Sequence, residues 1–191
     1  MSVYELILRR RTIRRFTQDR VPDELLDKIV NAGRLAPSGA NLQPLEFIIV
    51  NEIELVNKVF PTLKWAGYIA PAGNPPEGQR PMAYIIVLIN SEIKPKNGEV
   101  DAAAAIENMI LTSLADGVGS CWLGSIDRDQ LRTIFEIPQS YKIDSVLALG
   151  YPDESPVIEE VKDMITYWKD ENGVLHVPKR KLSAIVHYNR F

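Results

Sequence analysis

One cysteine and two histidines stand among the 191 residues of this chain, and those scarcities exclude several kinds of protein at once. A lone thiol, Cys121, rules out an internal disulfide framework, and together with two histidines it leaves no metal-ligand pattern. Long apolar runs are missing too. The longest, such as residues 83–89, fall far short of the roughly 20 residues a membrane-spanning helix needs, and no charged-then-apolar leader opens the chain. Nor is there a basic excess: the formal net charge is -3, which gives a dedicated nucleic-acid binder no continuous positive stripe. Gly117-Val118-Gly119 does not complete a dinucleotide-binding fingerprint, no P-loop is present, and no nucleophile elbow marks a hydrolase. The expectation is a soluble, cytoplasmic protein with a reduced thiol, no resident metal, and neither nucleic acid nor membrane as partner.

What is present is ordinary in bulk and specific in places. A hydrophobic fraction of 46% with 25% charged residues suits a folded globular chain, and the length suits a single domain over residues 1–191. Ser2-Val3-Tyr4-Glu5 has the form of a capping box opening a short helix, with Val3, Leu6 and Ile7 on one face. Val21-Pro22-Asp23-Glu24 starts a second helix, with Leu25, Leu26, Ile29, Val30 and Gly33 on one stripe, and Pro37 closes it. Residues 45–50 read as a buried strand, 52–60 as a short helix, and 82–90 as a strongly apolar strand. Residues 101–116 form the longest helical pattern, ended by Gly117 and Gly119. Asp127 reads as a further N-cap, 144–151 as a strand, and Asp170-Glu171-Asn172-Gly173 as a hairpin turn. The tail, 180–191, reads as a helix with Leu182, Ile185, Val186 and Phe191 apolar. The class is α+β, in three layers around a central mixed, mainly antiparallel sheet flanked by helices. Between the first two strands, residues 61–81 gather five prolines and three glycines into a long irregular stretch, functional or mobile by its length, with Trp65 and Tyr68 expected to anchor it.

Two segments carry chemistry. Arg9-Arg10-Arg11-Thr12-Ile13-Arg14-Arg15-Phe16 concentrates guanidinium groups in a slightly acidic chain. A solvated basic patch is one reading. Phosphate binding is the other, since a fork-shaped donor suits a phosphate and one helical turn would put Arg10 and Arg14 on one side. Ala36-Pro37-Ser38-Gly39-Ala40-Asn41-Leu42-Gln43-Pro44 is a Pro-bounded polar loop before a core strand. Turn chemistry and a binding site explain its Ser38, Asn41 and Gln43 equally well. Together they supply what a phosphorylated, planar, heteroatom-rich cofactor requires. Cys121, among apolar residues and without a base nearby in sequence, reads as an inert core thiol, and His176 and His187 as surface or interface residues.

In order along the chain these pieces resemble the nitroreductase family of flavin enzymes. Arg10-Arg11-Thr12-Ile13-Arg14 resembles its opening Arg-Arg-Ser-x-Arg signature, and the 36–44 loop its Ala-Pro-Ser-x-x-Asn-x-Gln-Pro segment. Residues 117–124, Ile137-Pro138, Leu149-Gly150-Tyr151-Pro152 and Lys179-Arg180-Lys181-Leu182 are similar to its later signatures. The resemblance implies an FMN-binding homodimer with shared active sites, reduced by NAD(P)H and passing hydride to an electron-poor acceptor in a ping-pong cycle. By position, Arg10, Arg11 and Thr12 would hold the phosphate and ribityl chain with Lys179, Arg180 or Lys181, and Arg14 would approach the N1/O2 edge of the ring. Pro37, Ser38 and Asn41 would come from the partner subunit with Gln43 supporting, and Leu123 and Gly124 would lie near N5. Residues 179–191 would cross to the partner. The flavin carries the reaction, so no side chain acts as nucleophile. In the family an Asn and a Lys near the ring come from the region between the first two strands; here that region is 61–81, where Lys64 is the only basic residue before Arg80. The short connection at 91–100 implies that the helical lid of longer members is missing. Alternatives are a non-catalytic FMN or nucleotide carrier or sensor, or related flavin chemistry such as reductive dehalogenation or oxygen-dependent flavin breakdown.

Overall fold

In the computed structural model, which describes residues 1–161 and 164–191, the central strand is the most apolar segment of the chain. β2 (Ala83–Asn90) is a β-branched run buried on both faces up to its last residue. It pairs antiparallel with β1 (Leu45–Val50) on one side and β4 (Tyr141–Gly150) on the other. β3 (Gly119–Leu123) pairs antiparallel with β4, giving the order β1-β2-β4-β3. The strand expected at 45–50 is there, but as an edge strand. Only Val50 is fully buried, because no strand among the described residues pairs with its outer side.

Alternation along β2 sorts the core into two layers. Ala83, Ile85, Val87 and Ile89 face α2 (Asp23–Arg34) and α4 (Gly98–Ala115), where Leu26, Ile29, Ala102, Ile106 and Met109 complete an aliphatic layer. Tyr84, Ile86 and Leu88 face the opposite layer, which is closed by α3 (Ile53–Val59), α5 (Arg128–Ile134) and the 61–81 stretch through Val56, Leu131, Leu63 and Trp65. Short α1 (Val3–Arg9) carries the expected capping box and lies along α4, but buries only Leu6. Asp127 caps α5 by accepting from Gln130 N at 3.0 Å.

A second, smaller sheet forms beyond β4. β5 (Val157–Glu160) runs parallel to β7 (Leu175–Lys179), and β6 (Trp168–Lys169) pairs with β7 across the hairpin, whose Gly173 takes a left-handed φ of 76°. The tail corrects an expectation: 180–191 is not a helix. It holds one 3-10 turn at Leu182–Ala184, and Leu182, Ile185, Tyr188 and Phe191 are exposed. A segment this short needs an apolar face packed on something to stay helical, and within one chain this one has no such support. No helix among the described residues is long and apolar enough to cross a membrane.

Candidate functional site

The arginine run is extended, which corrects the helical reading of Arg10 and Arg14. α1 ends at Arg9, and Arg10 already has extended backbone. From there the chain lies against the outer edge of β3. Thr12 bridges Ser120, Ile13 N donates to Ser120 O at 2.9 Å, and Phe16 bridges Pro152. Ile13 and Phe16 are buried, and two missing side chains let them in. A Cβ on Gly119 would stand 2.8 Å from Ile13 Cγ1, and one on Gly150 would stand 2.8 Å from Phe16 Cδ1. The tertiary fit of these two residues outweighs the local helical preference of the arginines.

Because the segment is extended, its arginines point to different surroundings. Arg10 and Arg11 line an open cleft of about 560 Å³ with Ile13, Ser120, Glu154 and the apolar ends of α4 and β5. Their charge is weakly compensated. Among the described residues Arg10 pairs only with Glu107, at 3.9 Å, while Arg11 donates to the carbonyls of Arg10 and Leu8. Burial, then the Arg10 charge beside it, pulls the Arg11 pKa down. Glu154 partly offsets this positive field, although its carboxylate already accepts from Arg14 N. The Arg14 guanidinium lies 5.4 Å from the ring of Tyr167, which meets Tyr68 edge-on at 5.1 Å, and the Arg14 Nε is buried with no hydrogen-bond partner among the described residues. Arg15 turns the other way and donates to Asn74 O at 2.7 Å and Ala72 O at 2.9 Å.

Those two bonds belong to the fastening of 61–81. Phe16 N donates to Gln79 O at 3.1 Å, Gln18 Nε2 to Arg80 O at 3.1 Å, and Gln79 Nε2 to Asp153 at 2.5 Å. Trp65 anchors the stretch as expected, buried and stacked on Phe60. Tyr68 does not: it is 69% exposed, and its ring contact is with Tyr167. At the end of β3, Leu123 is buried, and a Cβ on Gly124 would meet only open space. Cys121 is a buried core thiol, as expected; burial pushes its pKa up to about 11, the Arg14 charge partly opposing and Glu154 adding.

The 37–43 loop lies elsewhere. Ser38 Oγ accepts from Gln43 N at 3.0 Å, and Pro37, Ser38 and Gln43 line a small pocket of about 150 Å³. Ala40, Asn41 and Gln43 all take left-handed φ between 51° and 54°. Outside glycine this conformation costs of order 1–3 kcal/mol per residue, less for Asn, and it persists here because the surrounding contacts hold it. Gly39 N donates to Asp101 Oδ1 at 3.1 Å, in the first turn of α4, whereas the cleft is lined by Ile110 and Leu114 further along. At 1.5 Å per residue these attachments are roughly 14–20 Å apart along the helix. Lys179 ends β7, Arg180 folds back to Ala184 O at 2.9 Å, and Lys181 pairs with Glu160 at 2.8 Å, which raises the Lys181 pKa.

One chain therefore assembles Arg10, Arg11 and Ser120 around a cleft with Thr12 between the arginines and Ser120's strand, sets Arg14 beside Tyr167, and holds Pro37, Ser38, Asn41 and Gln43 apart. Sequence reasoning missed Asp101, Glu154 and Tyr167 as structural neighbours of these groups, and it did not separate Arg15 from the rest of the arginine run; of the three missed, only Asp101 left a trace, as an acid opening an alanine-rich helix.

Residues 7–151 match the nitroreductase family, and the chain belongs to it. A protein of Archaeoglobus fulgidus named "Putative NADH dehydrogenase/NAD(P)H nitroreductase" is 31% identical over 166 residues, spanning 83% of this chain and 90% of that protein. One of the same name from Methanothermobacter thermautotrophicus is 32% identical over 169 residues, spanning 85% and 84%. Among solved structures, an FMN-dependent nitroreductase of Clostridium difficile R20291 is 27% identical and superposes with a TM-score of 0.68 over 97% of this chain and 98% of its own.

Proposed function

We propose that this protein is an FMN-dependent oxidoreductase that takes reducing equivalents from NAD(P)H and delivers them to an electron-poor acceptor such as a nitroaromatic or quinone. The observation that carries the reading is the extended arginine segment held against the edge of β3. It presents guanidinium groups to a cleft and leaves Arg14 Nε buried with no hydrogen-bond partner among the described residues. A buried donor without an acceptor is costly, so this one fits a ligand with polar edge atoms. Arg10 and Arg11 would hold its phosphate with Thr12, helped by Lys179, Arg180 or Lys181. Arg14 would set positive charge beside the ring, and the open space at Gly124 leaves the ring accessible. Bound FMN supplies the two-electron chemistry, serving reductant and acceptor in turn.

The second copy enters for a geometric reason. Pro37, Ser38, Asn41 and Gln43 cannot reach the cleft of their own chain from the far end of α4, so in this reading they complete the site of a partner subunit. Exposed Val3, Tyr4 and Ile7 on α1 and the unpacked apolar tail suit the same homodimer. Residues 179–191 crossing to the partner would bury that tail.

An absorbance spectrum with added FMN, taken before and after anaerobic NADPH or NADH, tests the proposal. Flavin bands that bleach with either nucleotide are expected. Bands that bleach with dithionite alone would make the protein a flavin carrier or sensor, and failure to bind FMN would end the reading.

A further inference from the structure

We propose that Asp101, paired with Lys94, is a positioning residue that fixes the 38–43 loop in the shape in which it meets bound flavin; this rests on reading that loop as part of a partner's site. Asp101 is 5% exposed and uses both carboxylate oxygens. Oδ1 accepts from Gly39 N at 3.1 Å, and Oδ2 accepts from Lys94 Nζ at 2.6 Å. The loop's other bonds are mostly internal: Asn41 N to Ser38 O at 2.9 Å, Gln43 N to Ser38 Oγ at 3.0 Å, and Gln43 Nε2 to Asn41 O at 3.3 Å.

These internal bonds shape the loop but do not tie it to the body. The tie at its left-handed stretch is the Asp101 carboxylate, and Lys94 fills the space over Gly39, where a Cβ would stand 2.8 Å from Nζ. The chemistry selects a carboxylate. An amide could accept from Gly39 but would turn an N–H toward the ammonium of Lys94. With its oxygen accepting from Gln43, the Ser38 hydroxyl keeps its hydrogen to donate outward, and the Asn41 side chain makes no hydrogen bond among the described residues. Both are left available to a ligand in a conformation that Asp101 enforces. Preorganisation of this kind lowers the ordering cost of binding.

The test compares Asp101→Ala, Asp101→Asn, Lys94→Met and Asn41→Gly, the last keeping the left-handed backbone while removing the amide. Three quantities are measured: hydrogen exchange at the Gly39 amide in FMN-free protein, the FMN dissociation constant by fluorescence quenching, and the melting temperature. Asp101→Ala is expected to speed Gly39 exchange and to weaken FMN binding, each by about tenfold or more. Asp101→Asn should restore part of both, and Lys94→Met should give a smaller shift in the same direction. Unchanged exchange and FMN affinity in Asp101→Ala overturn the proposal; if that variant does not fold, Asp101→Asn and Lys94→Met decide by the same criterion. A lower melting temperature with unchanged FMN affinity reduces Asp101 to a helix-stabilising residue and also overturns it. Asn41→Gly separates the two layers of inference: if it leaves FMN binding intact, the loop does not belong to the flavin site, whatever Gly39 exchange shows.

Discussion

The two faces of the central sheet are packed by different rules. On the α2–α4 face the fully buried side chains that pack with β2 are all non-aromatic, and the buried polar groups nearby, Ser113 and Asp101, have partners within the chain. On the opposite face lie Tyr84, Trp65 and Cys121. Among the described residues Tyr84 Oη and Trp65 Nε1 are buried there without a hydrogen-bond partner, as is Nε of nearby Arg80, whose guanidinium lies 4.2 Å from the Phe60 ring. Burial pushes the Tyr84 pKa up, Arg80 opposing and Cys121 adding. The dry face is a frame. The other was closed by a proline- and glycine-rich segment, and it keeps unsatisfied polar atoms where a frame would have none.

Cutting into the frame should have the largest effect. Ile106→Ala removes a fully buried side chain between α4 and the sheet and is expected to lower unfolding stability by about 2–5 kcal/mol in chemical denaturation. A loss under about 1 kcal/mol would mean that this face is no better packed than the other. The opposite face should instead reveal itself through pH. The folded Cys121 thiol keeps its proton to about pH 11, whereas its ordinary value is 9.0. The folded state therefore binds more protons across that interval, so stability is intact below about pH 9 and falls as the pH rises to 11. The loss amounts to roughly 2–3 kcal/mol. Cys121→Ala should decline less steeply than the parent between pH 9 and 10, above which the raised Tyr84 pKa lowers the stability of both proteins; a decline as steep as that of the parent below pH 10 removes the thiol as its source.

Between the two faces lies the edge where the arginines rest. Gly119→Ala forces a methyl group to within 2.8 Å of Ile13 and 2.9 Å of Pro152. It should cost about 1–3 kcal/mol and weaken FMN binding together with it. Thermal melting and flavin titration would check this, and a loss of stability with flavin affinity intact would detach the cofactor from this edge. Smallest is Tyr84→Phe, which removes a hydroxyl with no hydrogen-bond partner among the described residues. Stability should stay within about 0.5 kcal/mol of the parent or rise, and a loss above 1 kcal/mol in denaturant would show that the hydroxyl is satisfied after all.

The sequence disclosed what is set locally. The Ser2–Glu5 capping box, the Asp127 cap and the hairpin at Asp170–Gly173 each depend on residues a few positions apart, and each formed. The family motifs were readable for the same reason, as short contiguous strings. What failed depended on distant partners. Arg10 and Arg14 left the helix because Ile13 and Phe16 fit against Gly119 and Gly150, more than a hundred positions later in the chain. The tail had helical spacing but no surface of its own chain to pack on. Asp101 looked like an ordinary acid in a first helical turn; its hold on Gly39 becomes visible only once α4 lies beside the loop.

Arg14 and Arg15 are adjacent but serve different masters. One guanidinium lies beside Tyr167 and the other grips the carbonyls of Ala72 and Asn74. A protein engineer wishing to exchange 61–81 for the corresponding stretch of a relative would thus be transplanting a roof without its clamp. The natural unit of exchange is discontinuous in sequence: the stretch itself together with Arg15 and Gln18, moved as a cassette in two pieces.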